Sequence, residues 1–89
     1  MIRHDAIDDE DLRRLMLGGH IRFGGNRRLR IYGHLDCSSG KRMKRDNRVF
    51  FGDAAAARAA GFRPCGQCLR DDYARWKDQA ADRASGNRM

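Results

Sequence analysis

The chain has 89 residues, one domain's worth, and at that size a hydrophobic core alone gives marginal stability. Its formal net charge is +7. No apolar run approaches the length of a membrane span, and the acidic start from Met1 to Asp11 does not suit a signal peptide, so a membrane or secreted protein is not expected and the reducing cytoplasm is.

Asp8-Asp9-Glu10-Asp11 supplies a cap and negative charge for a helix start, and Leu12, Leu15 and Met16 follow at i, i+3, i+4 before Gly18-Gly19. The pattern predicts a short amphipathic helix over about 9–17, within an N-terminal segment 1–18 packed on the rest. Ile21-Arg22-Phe23 and Leu29-Arg30-Ile31-Tyr32 alternate apolar and basic residues around Gly24-Gly25-Asn26, which predicts a β-hairpin turning at the glycines. Arg48-Val49-Phe50-Phe51 is a third strand candidate. Between the hairpin and this strand, residues 38–47 form a polar, basic surface loop.

Asp53, the alanine run 54–57, and Gly61 read as N-cap, helix and C′ residue, with Phe62 folding back onto the helix. Leu69, Tyr73, Trp76 and Ala80 then fall at i, i+4, i+7, i+11, a single stripe that predicts a helix with Tyr73 and Trp76 in the core. Residues 84–89 carry no packing signal and are expected to be a disordered tail, leaving 19–83 as the main unit. The fold class is α+β: a small metal-stabilised domain with a short antiparallel sheet of about three strands and two to three helices.

The stabilisation that the core lacks has a candidate source. Cys65-Gly66-Gln67-Cys68 is a C-x2-C turn introduced by Pro64, and 27 residues separate it from Cys37, which forms H-x2-C with His34. Two ligand pairs joined by a spacer are the sequence form of a tetrahedral zinc site. Three cysteines leave a fourth ligand to find: His34 is the first choice, with His20, Asp36 or a water following. A redox dithiol needs a longer βαβ frame, and an odd number of thiols does not suit a disulfide scaffold. No phosphate loop, paired carboxylates or nucleophile triad can be assembled.

The charge is concentrated. Residues 22–48 hold nine basic side chains against Asp36 and Asp46, while the rest of the chain is balanced. Such clustering predicts a polyanionic partner. The expected contact set is Arg27, Arg28, Arg30, Lys41, Arg42, Lys44, Arg45 and Arg48.

From about Ile31 to Asp72 the chain resembles a known family. Asp46-Asn47-Arg48-Val49-Phe50-Phe51, the alanine helix, and Ala60-Gly61-Phe62-Arg63-Pro64-Cys65-Gly66-Gln67-Cys68 look like the metal-binding domain of the Ada family of alkylation-response proteins. The resemblance implies a structural zinc held by four cysteines in a small mixed α/β domain. It also implies that the first cysteine accepts a methyl group from a DNA phosphotriester, after which promoter DNA is bound more tightly. By position, the last two ligands fall on Cys65 and Cys68, and the second falls on Cys37 with one residue of slip. The methyl-accepting position lands at Gly33 or His34, where there is no thiol, so the expectation leans against an enzyme. The leading function is a monomeric, zinc-binding module for DNA, with RNA as the other nucleic acid. The alternatives are a single-turnover methyl acceptor using Cys37 and a regulatory module for an acidic protein partner.

Overall fold

The computed structural model describes residues 1–37 and 43–86. β1 (Ile2–Arg3) passes through one 3-10 turn (His4–Ala6) into α1 (Asp9–Leu17). Asp8 caps that helix, its Oδ1 accepting the Asp11 N–H at 2.8 Å, and three acidic residues follow in the first turn. There they meet the positive end of the helix dipole.

β2 (Phe23–Asn26) and β3 (Ile31–His34) form an antiparallel hairpin in the register Phe23↔His34 to Asn26↔Ile31. The sequence predicts a turn at Gly24-Gly25-Asn26, but both glycines lie inside β2 and residues 27–30 make the turn. The cause is steric: a Cβ on residue 25 would meet Phe51, Phe62 and Val49 at 3.1 Å each, so bare backbone must cross the core there. Asn26 supplies the turn chemistry. Its Oδ1 accepts the Arg28 and Leu29 N–H groups at 3.0 and 2.9 Å, and the Arg30 N–H closes onto its carbonyl at 2.8 Å.

β4 (Arg48–Phe51) lies antiparallel to the other edge of β2, and β1 pairs antiparallel with β4. α2 (Ala54–Ala59) follows, with Asp53 Oδ1 accepting the Ala56 N–H at 2.7 Å. It ends in a Schellman motif: Phe62 N–H donates to Ala57 O and Gly61 N–H to Arg58 O, both at 3.0 Å, with Gly61 at φ +88°. The reversed chain enters β5 (Arg63–Pro64), which runs parallel to β3, giving the order β1-β4-β2-β3-β5 among the described residues. These are five strands in place of the expected three. The additional two, β1 and β5, are two residues long and too short to leave a period-two signature.

Alternation along β4 builds two cores on opposite faces of the sheet. Val49 and Phe51 join Tyr32, Ala57 and Phe62 beneath α2, while Phe50 joins Leu12 and Ile21 beneath α1. α3 (Arg70–Gly86) leaves the sheet from the cysteine turn. It continues through Ala84, Ser85 and Gly86, where the sequence predicts the tail to have begun; residues 87–89 lie outside the described residues. Trp76, expected in the core, is 36% exposed, because α3 extends past the small sheet and only its first turns find a surface to cover. Among the described residues no helix is long and apolar enough to cross a membrane.

Candidate metal centre

The parallel pairing of β3 with β5 carries the metal ligands to one another. Tyr32 pairs with Pro64, and the Cys65 N–H extends the ladder by donating to Tyr32 O at 2.8 Å. Cys65 is thereby held beside Gly33. On the other side, β3 runs out through His34 into a turn closed by the Cys37 N–H on His34 O at 3.1 Å. The C-x2-C segment folds as a knuckle: the Leu69 N–H donates to Cys65 O at 3.0 Å, and the Gln67 N–H points at Cys65 Sγ at 3.5 Å. Gly66 lies against the ring of Tyr73, where a Cβ would come within 3.3 Å.

The outcome is that the sulfurs of Cys37, Cys65 and Cys68 all lie within 4.8 Å of one another. Cys37 Sγ and Cys65 Sγ are 4.0 Å apart. Thiolates bound to a tetrahedral zinc at about 2.3 Å stand roughly 3.8 Å apart, so this set admits the ion with little movement. Cys68 Sγ also accepts the His34 N–H at 3.3 Å. Burial pushes the Cys68 thiol up to about 12; the His34 N–H acts in the opposite sense, and the neighbouring Cys37 and Cys65 add to the rise. Three crowded sulfurs resist ionising together, and a divalent cation supplies the missing charge.

The imidazole of His34 does not join this group among the described residues. A Cβ on Gly33 would point at Cys68 Sγ, at 2.7 Å, so the next side chain along the strand points to the other face. There the His34 ring stacks on Phe23, centroid to centroid 5.6 Å. The H-x2-C spacing alone carries no information about strand face.

The fold and the thiol cluster define a small zinc-binding α+β domain whose cofactor is Zn2+. Residues 20–71 match the family model described as the metal binding domain of Ada, and the chain belongs to that family. No curated protein and no solved structure matches it. Cys37, Cys65 and Cys68 would hold the ion as thiolates, which would tie the end of β3 to the start of α3.

The expected phosphate contacts divide into two groups. Arg27 donates through Nε and Nη2 to Asp46 O at 3.2 and 2.9 Å, and Arg48 donates to Leu35 O at 3.3 Å while lying over the Phe50 ring. These two brace the fold. Arg28 and Lys44 are exposed, and Arg45 pairs with Asp9 at 2.6 Å on the surface. Arg30 is exposed with φ at 58°. Lys41 and Arg42 lie outside the described residues. Arg58 and Arg63, absent from the expected set, line a groove together with Trp76.

Proposed function

We propose that this domain is a zinc-stabilised DNA-binding module whose basic ridge lies along phosphates. The observation supporting this reading is the junction of two basic segments 19 residues apart in sequence. Arg27 N–H donates to Asn47 O at 2.8 Å, Arg28 N–H to Asn47 Oδ1 at 3.0 Å, and Asn47 Nδ2 to Asn26 Oδ1 at 3.0 Å. The β2–β3 turn and the turn before β4 are thus one ridge, carrying Arg28, Lys44 and Arg45 at its surface. The Arg45–Asp9 pair is exposed on both sides and worth under about 1 kcal/mol, so it yields readily to a phosphate. Contacts of this kind position a nucleic-acid backbone without reading its sequence.

Duplex DNA binding measured at 50 and 200 mM salt tests the reading. Neutralising three phosphates predicts a loss of about 40-fold over that range. A flat response removes the ridge as the contact surface.

A second reading has one observation in its favour: Cys37 lines a cavity of about 330 Å3 together with Cys65, Arg48 and Arg63. A methyl phosphotriester admitted there would meet the Cys37 sulfur, which forms a bond to the methyl carbon as the carbon–oxygen bond breaks and its electron pair leaves on the phosphodiester. Intact mass after incubation with methylphosphotriester DNA tests it, and an unchanged mass excludes it.

A further inference from the structure

Arg58 and Trp76 belong neither to the metal centre nor to the ridge, yet they share one concavity. A groove of about 440 Å3 is lined by Leu29, Arg30, Arg58, Phe62, Arg63 and Trp76. Its walls come from the β2–β3 turn, the end of α2, β5 and α3. Arg30 and Arg63 are fixed side by side, because the Arg63 N–H donates to Arg30 O at 2.8 Å as β5 meets β3. The Arg30 guanidinium lies over Phe62 at 5.4 Å, and that of Arg63 lies 5.1 and 5.6 Å from the ring centroids of Tyr73 and Trp76. The Tyr73 and Trp76 planes differ by 19°, with centroids 5.9 Å apart.

Three guanidiniums line the groove, and that of Arg63 donates from Nη1 to Pro64 O at 3.1 Å. Among the described residues no carboxylate lines it, and none of its three arginines takes part in an ion pair. Its apolar surface is exposed: Trp76 at 36% and Leu29 at 65%. Arg30 enters it from the left-handed position, φ 58°, that closes the β2–β3 turn onto Asn26 O. A ligand matching this surface must alternate negative charge with a flat apolar group, which is the repeat of a single nucleic-acid strand: phosphodiester, then unpaired base. An acidic peptide satisfies the arginines and leaves the indole without a stacking partner. A paired duplex offers phosphates but keeps its bases stacked on one another.

We propose that this groove binds a segment of single-stranded DNA, with one base stacked on Trp76 and the flanking phosphates held by Arg30, Arg58 and Arg63. The proposal rests on the nucleic-acid reading above and adds to it a second surface and a strand form.

Trp76 is the sole tryptophan, so its fluorescence reports the groove directly. The zinc-loaded chain is titrated at low salt with an end-labelled thymidine oligonucleotide, following both label anisotropy and tryptophan emission. The expected result is saturable binding with quenching of Trp76. Trp76→Ala then weakens binding by about tenfold and Trp76→Phe restores it, because stacking needs a ring and not an indole in particular. Arg58→Gln, an exposed change outside the cysteine cluster, weakens binding several-fold at unchanged zinc content. Binding without quenching, and unaffected by Trp76→Ala, overturns the groove while leaving the ridge reading intact; a single strand that fails to bind where a blunt duplex binds likewise overturns the groove alone, and no binding of either overturns both. A blunt duplex that binds and quenches as well as the single strand also overturns the groove, and tighter binding of the matching RNA overturns the choice of DNA.

Discussion

Gly33 and Cys68 compete for one volume: a Cβ on residue 33 would lie 2.7 Å from Cys68 Sγ. This chain therefore has bare backbone at residue 33, with the Cys68 sulfur seated against it. Gly33→Ala must move the sulfur off its ligand position. The expected result is zinc affinity lowered roughly 5- to 150-fold, since overpacking of this kind costs on the order of 1–3 kcal/mol. Competition against a chromophoric chelator measures it, and an unchanged affinity would mean that the sulfur swings aside freely.

The stack of His34 on Phe23 leads to the opposite expectation for its neighbour. His34→Ala retains one zinc per chain in native mass spectrometry and keeps the backbone N–H that Cys68 accepts. It loses only the ring contact, worth about 0.5–1 kcal/mol, in urea denaturation. Loss of the metal from this variant would place the imidazole in the coordination sphere.

Zinc removal should cost far more. Structural zinc in small finger-like units contributes on the order of 10–16 kcal/mol, comparable to the total stability of a domain this size. Chelation is expected to lower the melting temperature by roughly 20 °C or more, with far-UV circular dichroism reporting loss of the sheet together with α3. A melting curve unmoved by chelator would show that the two apolar cores suffice.

A pH effect is expected at the opposite edge of the sheet. His4 lies edge-on to Phe50 at 5.2 Å, and its buried Nδ1 has no hydrogen-bond partner among the described residues. Loss of solvation lowers its pKa; Arg45 and Arg48 push the same way, against Asp9 and Asp5. The unfolded chain therefore takes up this proton first, as pH falls through about 6.5. Stability declines from there downward until the folded ring also protonates, and above that point His4 adds no pH dependence. Melting temperatures of wild type and His4→Phe between pH 7.5 and 5.5 isolate the effect, because proton competition at the thiols is common to both. The wild type should fall more steeply; parallel curves would remove His4 from the account.

Helix α2 and the cysteine cluster are legible in the chain because their determinants are local or follow strict spacing. Asp53 and Gly61 mark both ends of α2, and the C-x2-C turn needs only a third thiol at a distance. The hairpin turn is not legible, since Gly24 and Gly25 serve a long-range steric need created by Val49, Phe51 and Phe62. Trp76 shares its helical stripe with Leu69, which packs on a core, but the sheet ends before reaching it. Charge clustering points to a basic surface and does not separate guanidiniums that brace backbone, such as Arg27 and Arg48, from those that remain exposed.

The stretch from Phe62 to Leu69 has no slack. One end is anchored by a core phenylalanine 3% exposed, Arg63 and Pro64 are registered on β3, and Leu69 packs beneath α2 at the other end. One inserted residue would advance the chain by about 3.3 Å, more than a zinc–sulfur bond length. The number of residues between these anchors is therefore the dimension that the protein cannot vary, and the segment works as a fixed-length gauge that delivers two sulfurs to a third.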